Sequence, residues 1–255
     1  MRDDLQKIFE HRDWSRGTAG VSKSGFNASL RSTKRLRAAF PAIFADYQIK
    51  RFVDAPCGDF FWMQHVDLTG IEYWGLEISQ TLNDFNQQFA SPMRHFAIGD
   101  ITSDPLPSAD LLMVRDCLVH LQFDMRWAFF ENFVASKITY LLITSWIRPD
   151  NRWVYKNGGE KSFNMMAEPF GFPAPERFIL ETANTLPEGE ADNPETMHRH
   201  GSLAPRCDCC ACRTMARGGG GDHAACLVEN TCQYFDKRMW DTAKGITIRA
   251  EHRCT

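Results

Sequence analysis

The sequence predicts a doubly wound α/β fold, a mostly parallel sheet with helices on both faces. Short apolar runs recur at 51–55, 73–78, 94–98, 109–114 and 138–146, each separated from the next by a segment that can be helical. Strand, helix and strand in alternation is the pattern of a parallel sheet covered on both sides. The first run also feeds a tight turn with a single glycine, Asp54-Ala-Pro56-Cys57-Gly58-Asp59, as strand-to-helix connections at ligand sites do.

Each element has its own local warrant. Leu5, Ile8 and Phe9 stand at helical spacing, and the polar, glycine-bearing stretch Asp13 to Ser29 reads as a loop. Ser32 or Thr33 can cap a helix carrying Leu36 and Phe40, which Pro41 is expected to interrupt, starting a second short helix with Ile43, Phe44 and Tyr47. Ser79 is a candidate N-cap for Gln80 to Phe89, with Leu82, Phe85 and Phe89 on one face. Phe123 to Ala135 carries aromatics at spacings of three and four and is expected to be helical.

Composition narrows the classes of function. The chain has 255 residues, 44% of them hydrophobic and 12% aromatic, enough to bury a core. A formal net charge of −3 offers no field for sequence-independent binding to nucleic acid or anionic lipid. The longest apolar runs, such as Tyr140 to Ile147, fall short of the roughly 20 residues that span a bilayer. The first residues, Met-Arg-Asp-Asp-Leu-Gln-Lys, carry no apolar targeting stretch, so the expected setting is cytoplasmic.

In a doubly wound sheet the ligand lies beyond the carboxyl ends of the strands, and three acids stand there. Asp54 ends the first run, Glu77 the second, and Asp100 follows the third in Gly99-Asp100-Ile101. A carboxylate after the second strand suits the two hydroxyls of a ribose, and Asp100 suits an adenine amino group. The turn lacks G-x-G-x-x-G, which weighs against a pyrophosphate and hence against a nicotinamide dinucleotide and an oxidoreductase. The following helix is expected to leave backbone N–H groups free for a carboxylate or phosphate. An adenosine ligand without a phosphate chain is the better reading.

Asp54-Ala-Pro-Cys-Gly-Asp-Phe-Phe-Trp62-Met63, followed by Ala109-Asp110-Leu-Leu-Met-Val-Arg115-Asp116-Cys117-Leu-Val-His120-Leu, resembles class I S-adenosylmethionine-dependent methyltransferases. It is most similar to a bacterial branch marked by that Asp-Ala-Pro-Cys-Gly-Asp turn and its tryptophan, whose members mostly have no assigned substrate. Trp14, Ser24-Gly25-Phe-Asn-Ala-Ser29-Leu and Pro169-Phe-Gly-Phe-Pro173-Ala-Pro175 extend the likeness from about Trp14 to about Met197. The resemblance implies a Rossmann-like sheet with S-adenosyl-L-methionine as cofactor and a small-molecule acceptor. Asp54, Pro56, Cys57, Gly58, Asp59 and Trp62 would hold the methionine moiety and Glu77 with Ile78 the ribose. Asp100 and Ile101 would flank the adenine, and Arg115 and Asp116 would close the pocket. Pro56 and Phe60 stand where many relatives have glycine, and a proline has no N–H to offer.

A general base is required only if the acceptor must lose a proton. Asp116 and His120 are four apart, so on a helical turn they would share a face, with the carboxylate orienting the imidazole. Cys57 reads as a small turn residue and Cys117 as core. Trp146, Arg148, Asn151, Arg152, Trp153 and Tyr155 follow the fifth run, where a sugar-like acceptor would be met, or where aromatics simply pack down.

The sequence divides into a helical cap and lid (1–50), a cofactor-binding core (51–197) and an irregular tail (198–255). Seven of the nine cysteines follow position 200, and Gly218 to Gly221 are four successive glycines. Cys209, Cys212, His223 and Cys226 are a formal zinc set; the rival readings are a flexible extension and a segment not selected with the body, such as an out-of-frame stretch. The glycines between the two pairs argue for no metal. Members of the family normally insert a last antiparallel strand after the one corresponding to Arg177–Glu181. Only Cys226-Leu-Val and Gly245-Ile-Thr-Ile-Arg249 could supply it. Because every proposed cofactor contact lies before Asp116, removal of the chain after about Met197 is expected to leave cofactor binding largely intact. A non-catalytic adenosine-cofactor-binding protein of the same fold is the alternative to an enzyme.

Overall fold

A computed structural model describes residues 2–11, 22–146, 151, 157–159, 164–172, 175–181 and 223–229. Helices α1 (Arg2–His11) and α2 (Lys34–Asp46) precede strand β1 (Arg51–Asp54). Then come β2 (Glu72–Glu77), α3 (Gln80–Asn86), β3 (Arg94–Ile98), β4 (Leu111–Val114), α4 (Phe123–Ser136), β5 (Tyr140–Trp146), β6 (Arg177–Glu181) and β7 (His223–Glu229). The strands form one sheet in the order β3-β2-β1-β4-β5-β7-β6. The five from β1 to β5 pair in parallel, and β7 runs antiparallel to both of its neighbours. The order reverses between β1 and β4, which opens a crevice at their carboxyl ends.

Strand β4 is apolar and buried at every position, and β1 and β5 are buried over most of theirs, because both faces are covered. Val53, Leu112, Val114, Leu141 and Ile143 pack with Trp127, Phe129, Phe130 and Phe133 of α4. The alternate residues Phe52, Leu111, Met113 and Leu142 pack with Leu36, Phe40, Ile43 and Phe44 of α2. Period-two alternation thus sorts one apolar run into two cores.

Three local expectations are corrected. Pro41 lies inside a continuous α2 rather than dividing it. It is exposed, so the Arg37 carbonyl that loses its N–H partner can be hydrated. Residues 61–65 form turns and a single 3-10 turn (Met63–His65) instead of a helix. In α3 the buried residues are Asn83 and Asn86, while Phe85 is exposed, although Ser79 Oγ does accept from Leu82 N as a cap should.

The tail supplies the last strand of the sheet. The segment containing Cys226-Leu-Val inserts between β5 and β6, pairing from Tyr140↔Glu229 to Trp146↔His223 on one side and from Arg177↔Leu227 to Glu181↔His223 on the other. The sheet therefore draws on residues beyond 197. Cys209, Cys212 and the Gly245–Arg249 stretch lie outside the described residues.

Candidate functional site

A cavity of about 750 Å³ opens at the carboxyl ends of β1, β2, β3 and β4. That volume is in the range of small-molecule sites. Asp54, Pro56, Cys57, Gly58, Trp62, Glu77, Ile78, Asp100, Ile101, Arg115, Asp116 and His120 all line it. The structure thus gathers every residue nominated for the cofactor or for proton transfer except Asp59; Trp146 and Asn151, nominated for the acceptor, are not part of the lining. Leu5 and Phe9 of α1 and residues 23–28 add a wall from the N-terminal region.

The turn after β1 consumes its own donors. Ala55 N–H bonds to Met113 O, Cys57 N–H to Leu76 O, Gly58 N–H to Glu77 Oε2, Asp59 N–H to Ser24 Oγ, Phe60 N–H to Cys57 O and Phe61 N–H to Asp59 Oδ1. Pro56, after a cis peptide bond, has none to give. The expected free N–H groups are therefore absent between 55 and 61, and the turn cannot cradle a pyrophosphate through its backbone. Gly58 adopts φ +58°, and a Cβ there would overlap Ser24 Oγ and stand 2.9 Å from Ser24 Cβ. Only glycine permits both the turn and that approach.

Glu77 is buried and accepts from Gly58 N at 2.9 Å, Ile78 N at 2.9 Å and Ser79 N at 3.1 Å. Burial raises its pKa, and the three backbone donors oppose that rise. With about four acceptor directions on a carboxylate, capacity remains toward the cavity. Asp100 Oδ1 accepts from Thr102 N and Thr102 Oγ1 at 2.9 and 2.6 Å, while Oδ2 has no protein donor among the described residues. Asn86, a position the sequence reading passed over, supports the floor: its Nδ2 donates to Gly58 O at 2.7 Å. Nothing in the local sequence signals that task.

Asp54 is buried and accepts from Tyr73 Oη at 2.9 Å. Its carboxyl is pushed up to about 8; burial is the main cause, opposed by the Tyr73 bond and the Arg115 charge and reinforced by Glu77. The folded protein therefore keeps a proton that the unfolded chain releases above about pH 4. Stability should fall as pH rises from about 4 to about 8, by at most about 1.4 kcal/mol per pH unit. Asp54→Asn, uncharged throughout, should not share that slope. Urea unfolding of both proteins at pH 5 to 8 is the check; parallel profiles would show that Asp54 does not carry the proton.

Arg115 is buried at the end of β4. Its Nε donates to Glu181 Oε1 at 3.1 Å and its Nη2 to Asn27 O at 2.9 Å, and its guanidinium lies 5.5 Å from the Trp62 ring centre. Its Nη1 stands 3.2 Å from Asp116 Oδ2, an oxygen that no donor among the described residues reaches with hydrogen-bond geometry. The histidine differs from expectation. Asp116 sits at φ +50° and residues 118–120 form a 3-10 turn, so the pair does not ride one α-helical face. His120 Nδ1 is 2.9 Å from Gly159 O, which assigns the ring proton to Nδ1 and makes Nε2 the basic nitrogen. A backbone carbonyl, 39 residues away in sequence, is the orienting acceptor on that nitrogen.

Cys57 and Cys117 line the cavity as thiols, since burial raises both well above the usual range. Asn151 staples its own loop, donating to Asn164 O, Ala167 O and Glu168 O and accepting from Asn164 N. Arg148, Arg152, Trp153 and Tyr155 lie outside the described residues.

No family model matches the chain, and no curated protein sequence matches it. Solved structures do. A SAM-dependent methyltransferase from Leishmania major superposes with a TM-score of 0.57 at 10% identity, covering 89% of this chain and 82% of that one. Magnesium protoporphyrin IX methyltransferase from Synechocystis, with bound SAH, gives 0.51 at 11% identity, covering 72% of this chain and 94% of that one. The chain has the class I methyltransferase fold. Within that methyltransferase fold the cavity occupies the switch point between β1 and β4, and the antiparallel β7 completes the sheet.

Proposed function

We propose that the protein is a class I S-adenosylmethionine-dependent methyltransferase of the bacterial branch whose turn it resembles, acting on a small-molecule or sugar-like acceptor. The observation that carries the reading is the convergence of Asp54, Glu77 and Asp100 on one cavity beside a turn whose backbone donors are already used. Such a site suits an adenosine with no phosphate chain. Glu77 would hold the ribose hydroxyls with Ile78 beside it. Asp100 Oδ2 would accept from the adenine amino group, with Ile101 against its face. Asp54, Pro56 to Gly58, Trp62 and Arg115 would surround the methionine moiety.

The cofactor, when bound, supplies an activated methyl group on its sulfonium, so the protein's task is to orient donor and acceptor in line and exclude water. Asp116 and His120 stand at the acceptor end. For a hydroxyl or amine acceptor, His120 Nε2 would take the departing proton, its ring held by Gly159 O.

Calorimetric titration should show binding of S-adenosylhomocysteine and none of NAD. Labelled S-adenosylmethionine should pass its methyl group to a component of a metabolite extract. His120→Ala should slow that transfer by about 100-fold at unchanged S-adenosylhomocysteine affinity. Binding of NAD alone would overturn the cofactor reading, and cofactor binding with no transfer to any acceptor would favour a non-catalytic binding protein.

A further inference from the structure

The sequence places Asp59 among the cofactor contacts, yet it is not part of the cavity lining, and its carboxylate is filled by protein donors. Oδ1 accepts from Ser22 Oγ at 3.2 Å, Ser24 Oγ at 3.0 Å and Phe61 N at 3.3 Å, and Oδ2 accepts from Lys23 N at 2.6 Å. The contact is reciprocal, because Asp59 N donates to Ser24 Oγ at 2.8 Å. On the neighbouring residue, Gly58 has no Cβ where Ser24 rests. Charge-assisted bonds to two hydroxyls and a backbone N–H, all from one short segment, form a fastening rather than a ligand contact.

The fastened segment is part of the site. Residues 23–28 wall the cavity, and Phe26, 45% exposed, stands at its rim. At the far end Asn27 O takes the bond from Arg115 Nη2, so the segment is held at two points with Gly25 between them at φ +94°.

We infer that Asp59 is a positioning residue that latches residues 22–27 over the cavity, and so controls how long the cofactor is retained without touching it. This rests on the cofactor reading above. A latch that closes over a ligand acts on its departure, so the effect belongs in the dissociation rate rather than in association.

The test compares wild type with Asp59→Ala, Ser24→Ala and the double variant. Hydrogen exchange of peptides covering 22–30 is measured on ligand-free protein, and S-adenosylhomocysteine kinetics on the same samples. In Asp59→Ala the segment should lose protection while peptides of β1, β4 and β5 keep theirs. The ligand's dissociation should quicken by about tenfold with little change in association. The double variant should match the stronger single one, because both remove the same contact. Asp59→Asn, which keeps an oxygen for the two hydroxyls, should fall between. Unchanged exchange of 22–30 in Asp59→Ala overturns the latch, as does faster exchange with unchanged dissociation. If Asp59→Ala fails to fold, Ser24→Ala is read by the same two criteria. A wild-type protein that binds no S-adenosylhomocysteine overturns the cofactor reading and the retention effect with it; exchange alone then decides whether Asp59 fastens the segment.

Discussion

Replacing Glu77 with alanine is expected to weaken S-adenosylhomocysteine binding by about 2–3 kcal/mol, the scale of lost charge-assisted hydrogen bonds. Two losses add. The ligand loses the carboxylate proposed for its ribose, and Gly58, Ile78 and Ser79 lose the acceptor of their N–H groups. Glu77 therefore ties the turn after β1 to the end of β2 across 19 residues, and its removal loosens the floor as well as the contact. Some loss of stability should accompany the loss of affinity, since a stranded buried donor costs about 1–3 kcal/mol unless water in the cavity reaches it. Glu77→Gln keeps one carbonyl oxygen for Ile78 and Ser79 while turning an amide toward Gly58. It should recover stability more than affinity. Titration of folded variants decides the matter: unchanged affinity in Glu77→Ala would remove the ribose assignment.

Ending the chain after Met197 is expected to cost the fold, against the sequence-based expectation that cofactor binding would survive. The missing residues include β7, which is paired with β5 at all seven of its positions and with β6 at five. Without it β5 becomes an open apolar edge, and β6 loses its only partner strand among the described residues. Glu181, the buried partner of Arg115, is on that orphaned strand, so the loss reaches the cavity through the Arg115 ion pair. Removing one member of a buried pair costs about 3–5 kcal/mol, before the lost strand pairing is counted. The truncated protein should be insoluble or unfold without a cooperative transition. Ala225→Pro, which keeps the tail but removes a ladder donor from a central strand, should lower the thermal midpoint markedly. A soluble truncation that melts cooperatively at the wild-type midpoint would show β7 to be dispensable.

What was readable from the chain alone is what local chemistry controls. Apolar runs located β1 to β5 to within a few residues; burial is most continuous in β4 and β5, which are covered on both faces. Ser79 announced the start of α3, and the acids at strand ends announced the cavity, because a strand's end and the residue after it fall where the topology places ligands. Tertiary structure decided which of these groups face the cavity and which are spent holding it together. Asp54, Glu77 and Asp59 are the same chemical type at or just beyond strand ends, yet only packing turned Asp59 toward Ser22, Lys23 and Ser24, more than 30 residues away. The acceptor that orients His120, the Asn86 beneath Gly58 and the strand that closes the sheet are likewise set by partners distant in sequence. Periodicity reports the environment of a segment averaged over its neighbours. A single hydrogen-bond partner brought from far along the chain leaves no trace in that average, and it is such partners that separate a contact residue from a latch.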